Sequence, residues 1–573
     1  MPDSEKLIVK LSVRISGQDR EYAVSSLFLS QAIGTHHHFN IELRGEELDD
    51  SIVTELKSQL GKPLDIKFYK GNSVDLKFKG IITGINLSND SDDHKTMTLS
   101  GNSPTIRMDD GKNSRCFKEI TYKRIIDKIT EPYKGLKFTA KGNSSNSQLP
   151  IFIQYKESNF NLLLRVCELA GLWVYYDGQE VKIGDQPTGK SKDIIVGQSG
   201  GHYQIEANLI PANLEYRTYD YTHDKVYSLK TKAEADDKNL LVKSVVNASK
   251  ELFNSNTISP SLEFFSTDAD FTKYGDTMQN TYISGSVRIS GSSTDPTLSI
   301  GDTINLIEKK DGNQSSIGHF FVVQIQHNSS VSGYYQNQFE AIPKDVKTPP
   351  LNTNIYYPKG EDQTATVIDN QDPEKLGRVK IQFIWQDDAN DSNWMRVLAP
   401  MGGKDHGFYY VPEVKDHVLI GFELDNPNRP YVKGSFFNNS QKADQLNQIL
   451  ETSASKVQSF IQGKTQEAAK GFFTKSGNQI ITTQQGVFIM TKGGKSIVSV
   501  LTNEDGMVYI MANDKIFLSS GKEIAIESGE KISLKAKEIV IDAEQKLELK
   551  GGSEVNVSGG SVVEVKGKMI KLN

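Results

Sequence analysis

Only two cysteines, Cys116 and Cys167, occur in 573 residues, and neither has a CxxC partner. That scarcity excludes a disulfide framework and a thiolate metal cluster, so two ordinary buried thiols are expected. Long apolar runs are missing too: none approaches the ~20 residues of a membrane-spanning helix. At the N-terminus Leu7, Val9, Leu11, Val13 and Ile15 alternate as in a strand, so no cleaved signal peptide is expected. An excess of positive charge is absent, with 66 Lys and Arg against 72 Asp and Glu and a net charge of −6. General affinity for nucleic acid or anionic membrane is therefore not expected. No HExxH, GxSxG, P-loop or GxGxxG is present, so neither a catalytic site nor a cofactor is expected. The run His36-His37-His38 is the most suggestive cluster, but neighbouring side chains of a strand point to opposite faces and chelate one metal poorly. It reads as a strand-edge or interface feature, with a metal site formed across subunits as the alternative.

What is abundant is glycine, with 46 residues against 18 prolines, and Tyr plus Phe, 22 and 25. Both favour β structure with many turns. Strands such as "PLDIKFYK" and "HFFVVQIQHNSS" fill residues 1–355, interrupted by one clear helix in "KESNFNLLLRVCELAGLWVYY". Ser158 or Asn159 caps it, Leu163, Val166, Cys167 and Ala170 share a face, and Gly171 ends it. A second short helix is expected in "TYKRIIDKITEPY". The proline-bearing stretch 347–360 marks a boundary, and residues 356–440 hold strands enough for a small closed barrel. Residues 441–480 are expected to form a helical connector, with Leu446, Ile449, Leu450, Val457, Phe460 and Ile461 at helical spacing.

The C-terminal region, 481–573, contains a repeat. Apolar i, i+2 pairs recur at Val508/Ile510, Ile516/Leu518, Ile524/Ile526, Ile532/Leu534, Ile539/Ile541, Leu547/Leu549, Val555/Val557, Val563/Val565 and Ile570/Leu572, stepping by eight residues with two steps of seven. An eight-residue step rotates a stripe off any helical seam, which excludes a coiled coil although Lys, Glu, Ala and Leu dominate. The third residue before each pair is Gly, Asn or Asp in seven of nine units, so each unit is a short strand followed by a corner. A lone chain of such units would carry open edges throughout; three intertwined copies close them and bury the aliphatics on a common axis. With ~4.7 Å per strand layer, the needle would be on the order of 40 Å long. Ala536 and Glu544 lack the turn chemistry and the step from Ile532 is short, so an irregular turn is expected within 535–546.

These features together resemble the VgrG family of type VI secretion spikes and the related hub and spike proteins of contractile phage tails. The residues carrying the likeness are Gly377-Arg378-Val379, Phe383, Trp385, Trp394, Arg396, Gly407-Phe408 and "NPNRPYVKGSFFN" at 426–438. Upstream, 151–176, "SIGDTINL" and "NQFEAIP" resemble the family's hub. The resemblance implies a mainly β fold: tube-like β-barrel hub domains over 1–355, an OB-fold neck over 356–440, and an intertwined trimeric β-helix needle. It implies a homotrimer seated on a hexameric Hcp-type tube among baseplate proteins, with a PAAR-repeat tip protein on Ile570, Lys571, Leu572 and Asn573. Effectors or adaptors would be its cargo, and a target membrane would be pierced mechanically after assembly in the cytoplasm. The ~40 residues between neck and needle are too few for the phage spike's lysozyme domain, and with Asn573 last no fused effector is expected. Two rivals stand: a phage-tail or extracellular injection spike, and a β-helical polysaccharide-degrading enzyme or tail-fibre adhesin. Against the latter, Tyr509 and Phe517 are the only aromatics after residue 507, too few for a sugar groove.

Overall fold

A computed structural model describes residues 9–17, 21–44, 57–70, 73–89, 95–141, 148–236, 239–261, 267–310, 313–330, 334–387, 392–404, 406–440, 470–483, 486–491, 496–501, 508–512 and 514–571, with Thr54, Glu263 and Phe265. The chain divides into two units, Met1–Lys442 and Ala443–Asn573. It is mainly β.

The first unit is organised by a 13-stranded sheet drawn from two distant stretches of sequence. Strands between Lys10 and Asn102 form one half-barrel, and strands between Ser191 and Pro343 form the other. They join where Ser26–Ala32 pairs antiparallel with Asn313–Ser329, setting Leu29 opposite His327. Alternation does the sorting: in Ser26–Ala32 every second residue, Leu27, Leu29 and Gln31, is buried. Val13, Leu29, Phe39, Ile41, Phe68 and Leu99 fill the first half-barrel, while Ile289, Ile304, Ile325 and Phe339 fill the second.

Four helices of eight residues or more occur among the described residues: α1 (Tyr122–Thr130), α2 (Asn159–Ala170), α3 (Leu240–Leu252) and α4 (Asp268–Ser284). The caps of α2 match the sequence reading. Ser158 Oγ accepts from the Asn161 N–H at 3.1 Å, and Gly171 takes the left-handed conformation at φ +70°. Its burial does not, because Arg165 and Glu168 on the other faces are buried as well. Helices α3 and α4 escaped the sequence reading; α4, with Thr, Tyr and Gly scattered through "DADFTKYGDTMQNTYIS", shows no clean apolar stripe.

Residues 363–436 form a five-stranded antiparallel sheet around Val367, Val379, Ile381, Phe383, Val418, Ile420 and Val432. This core continues into the hub through Cys116, Ile153 and Tyr155, on the antiparallel pair of Asn113–Thr121 with Gln148–Glu157. Both cysteines are free and buried.

In the second unit, Lys470–Phe473, Gln479–Thr483, Gly486–Met490, Ser496–Leu501 and Val508–Ala512 form an antiparallel meander. It begins within the last residues of the stretch read as a connector; the connector helix itself falls on 441–469, outside the described residues. One face buries Ile481, Phe488 and Met490, and the other exposes Ile480, Val487, Ile489 and Val498. From Asp514 to Lys571 the chain forms neither helix nor strand, with no strand partner among the described residues and every side chain exposed.

Candidate assembly surfaces

The run from Asp514 to Lys571 keeps the beat of the repeat in its backbone. It bends at Asp514, Gly521–Lys522, Gly529–Glu530, Lys537, Glu544–Gln545, Gly552–Ser553, Gly560–Ser561 and Lys568. After Asp514, five bends take two residues, and the bends at Lys537 and Lys568 take one. Those two fall in the seven-residue steps from Ile532 to Ile539 and from Val563 to Ile570. Within 535–546, then, the irregularity is the shortened bend at Lys537, while the bend at Glu544–Gln545 resembles its neighbours. Serine hydroxyls stitch the first corners: Ser520 Oγ accepts from the N–H groups of Lys522 and Glu523, and Ser528 Oγ from those of Glu530 and Lys531. At two later corners the essential glycine is one residue earlier than the spacing implies. A Cβ on Gly551 would lie 2.2 Å from Glu554 O and one on Gly559 2.5 Å from Val562 O, whereas Gly552 and Gly560 meet nothing.

Between corners stand the aliphatic pairs. Ile516, Leu518, Ile524, Ile526, Ile532, Leu534, Ile539, Ile541, Leu547, Leu549, Val555, Val557, Val563, Val565 and Ile570 are each at least half exposed. Val508 and Ile510 are equally bare, but they sit on the last strand of the meander, opposite Val500 and Val498. Lys571 is exposed, and Leu572 and Asn573 lie outside the described residues. Monomeric proteins rarely expose apolar side chains in so ordered a row, and such a surface marks an interface. Outward positions carry compensating charge, with Lys546 and Lys550 both paired to Glu548 and Lys566 to Glu564.

A second surface, within the first unit, joins the small barrel to the hub. Asn428 Oδ1 accepts from the Ile153 N–H at 2.7 Å, and its Nδ2 donates to Glu263 Oε2 at 2.9 Å. Burial raises the Glu263 carboxyl pKa, against the pull of Arg165 and Asn428. Beneath it Arg165 donates to Glu157 Oε1 at 2.6 Å, with both side chains all but inaccessible. The residues carrying the family likeness are largely structural in this setting. Arg378 donates twice to Asp372, at 2.7 and 3.1 Å. Burial works to raise the Asp372 pKa, but those bonds and three backbone N–H donors hold it near 2. Trp385 stacks on Phe383 at 4.7 Å and donates to Gln363 Oε1. Trp394 receives Lys380 over its ring, and Arg396 lies over Tyr221 and pairs with Glu423.

The histidine run splits three ways. His36 stacks on Phe160 at 3.8 Å and contacts Thr105 and Asp109. His38 opens the strand His38–Arg44. His37 is fully buried and begins a hydrogen-bonded chain with one consistent direction: Asn337 Nδ2 donates to Tyr335 Oη, Tyr335 to His327 Nδ1, His327 Nε2 to Gln31 Oε1, Gln31 Nε2 to His37 Nδ1, and His37 Nε2 to Ala32 O. It crosses the joint between the half-barrels with both imidazoles neutral, burial holding each pKa near 3. Nothing in the sequence spacing links residues about 300 apart; only the register of Ser26–Ala32 on Asn313–Ser329 does. Among the described residues no cluster of three His, Cys, Asp or Glu is placed to hold a metal ion. No helix among them is long and apolar enough to cross a membrane.

Two half-barrels in one sheet, with a small five-stranded barrel built onto them, are the plan of a tail-hub protein. A family model described as phage tail baseplate hub matches residues 30–332, more than half of the chain, and the chain belongs to that family. A second, described as the type VI secretion system/phage-baseplate injector OB domain, matches residues 363–437. Among curated relatives, the type VI secretion system spike protein VgrG5 of Pseudomonas aeruginosa is 34% identical over 120 residues, 19% of this chain and 15% of that protein. The actin cross-linking toxin VgrG1 of Vibrio cholerae is 22% identical over 469 residues, 72% of this chain and 39% of the relative. The matched segments thus span well under two thirds of these relatives' length. In fold, the chain is similar to a chain of the Francisella PdpA–VgrG complex, with TM-score 0.56, 10% identity and 88% of both chains covered. It is also similar to the E. coli c3393 type VI secretion component, with TM-score 0.50, 14% identity, 74% of this chain and 99% of that one.

Proposed function

We propose that this chain is the structural spike of a contractile injection apparatus of the type VI kind, working as a homotrimer and by rigidity rather than catalysis. In this reading 1–355 is the hub, 356–440 the neck, 441–480 a connector and 481–573 the needle. The aliphatic pairs from Val508/Ile510 to Ile570/Leu572 would form the needle core. The hub would rest on an Hcp-type hexameric tube among baseplate proteins, and Ile570 to Asn573 would carry a PAAR-repeat tip protein. Effectors or adaptors would travel with it. The protein would assemble in the cytoplasm and leave it when the apparatus fires into a target cell.

The observation that carries this reading is the row of exposed aliphatic pairs from Ile516 to Ile570, on a backbone that bends between them and has no strand partner among the described residues. Such a segment has both unmet hydrogen-bonding groups and unmet apolar surface, and further copies supply both at once. Fluorescence tracking of secreted chain tests the role: cells with an intact apparatus release it, and an Ile532→Asp/Leu534→Asp variant is expected to abolish release of itself and of the tube protein. Normal firing with that variant would refute the needle role. Because the family descriptions cover phage baseplates as well, a phage-tail spike is the second reading. Neighbouring capsid genes would favour it, and neighbouring membrane-complex genes would favour secretion.

A further inference from the structure

The aliphatic repeat starts at Val508/Ile510, but the bare apolar surface reaches further upstream. In the antiparallel meander, register sets Phe472 opposite Ile480, Ile480 opposite Ile489, Ile489 opposite Val498, and Val498 opposite Ile510. Residues directly opposite on neighbouring strands share a face, so these five make one unbroken row. All five are exposed, from 43% at Ile480 and Val498 to 56% at Ile510. At ~4.8 Å per strand the row is roughly 19 Å across. Val487 and Val508, two residues away along their strands, widen it and are exposed too. Ile481, Phe488 and Met490 alternate with these residues and are buried on the opposite face. The sheet is thus apolar on both faces and covered on one, and a bare apolar row of this extent marks an interface.

Two features select what covers it. Ile510 belongs both to this row and to the first pair of the repeat, so whatever covers the repeat reaches the row without a break. The row also carries no charge, so copies of it can meet around a symmetry axis without opposing like charges. We propose that the bare faces of three copies of the meander close on the needle's axis, forming a collar with Ile489 at its centre. This rests on the spike reading and extends the shared surface upstream to Phe472. Such a collar would do what the repeat cannot. Needle units resemble one another, so a chain displaced by one unit still matches aliphatic pairs, whereas the meander is not repeated and admits one alignment.

Cys116 and Cys167 are both buried, so the full chain with Ile489→Cys carries a single accessible thiol. Mild oxidation is expected to link chains in pairs through it, visible on a denaturing non-reducing gel. A second measurement needs no variant. In the unaltered chain, hydroxyl-radical labelling of Phe472 is expected to fall about tenfold or more below that of Phe517, because a packed interface excludes water. Phe517 lies between the two members of a needle pair and faces outward, and in a single chain the two rings are 50% and 76% exposed, too alike for such a gap. Sedimentation of the same samples separates the possible failures. A trimer in which the new thiol stays unlinked and Phe472 labels like Phe517 would overturn the collar and leave the spike reading standing. A single chain would overturn both.

Discussion

The two units of this chain solve the same problem in opposite ways. In Met1–Lys442 nearly every alternating apolar residue meets another from the same chain: Leu29, Ile41 and Ile325 are completely buried. In Ala443–Asn573 the strand-like pairs are more regular in sequence yet remain bare, with Ile532 at 51% and Leu534 at 68% exposure. Regular patterning is therefore not enough to make a core. The hub strands are six to seventeen residues long in their principal pairings and return on one another through turns, so one chain can cover both faces. From Ile516 onward the described tail units turn after each pair without pairing back on one another, so a single copy leaves them uncovered. In the proposed spike that uncovered surface is what further copies of the chain would cover.

Four perturbations sharpen that contrast. The largest effect is expected from Ile532→Asp with Leu534→Asp: in the shared needle three copies of each charge would meet on the axis, and association should be lost entirely, while the hub's melting is unchanged. Light scattering and differential scanning calorimetry on one sample check both halves of that statement. Next is the buried ion pair of the hub. Arg165→Met leaves the inaccessible Glu157 carboxyl without its main partner, at a cost of about 3–5 kcal/mol by denaturant unfolding, with oligomer size unaffected.

Acid should act on the hub through His37 and His327. Their folded-state pKa values lie near 3, below the usual 6.5, so the unfolded chain binds more protons between those limits. The stability they contribute is whole above about pH 6.5 and is lost as pH falls towards 3, each imidazole adding a slope of about 1.4 kcal/mol per pH unit. Stability measured against pH should show that slope reduced by one such step in His327→Gln. Smallest, Asn428→Ala strands the Ile153 N–H and removes a donor from Glu263, for about 1–3 kcal/mol at the neck seam.

Legibility in the sequence followed the range of the interaction. Local devices could be read: the Ser158 and Gly171 caps of α2, the position of α1, the alternation of the hub strands and the beat of the repeat down to its short steps. Long-range pairings could not. The His37–Gln31–His327–Tyr335–Asn337 chain depends on register between strands about 300 residues apart, and nothing at His37 itself distinguishes it from His36 or His38. Glu168 was hidden for a related reason: in a helix read as one-sided, it belongs to the face expected to be wet. Gly551 and Gly559 were missed because spacing locates a corner to within one residue, whereas a carbonyl oxygen 2.2 Å from a missing Cβ locates it uniquely. Edges and periodicity suggest that the tail is shared, and a single chain shows its pairs bare.

The most direct measurement is the mass of the unaltered full chain in solution by sedimentation velocity with light scattering, before and after heating. A particle of three chains that persists on heating is what the shared needle predicts. A stable single chain at working concentrations, with Ile532 and Leu534 still open to solvent, would contradict it.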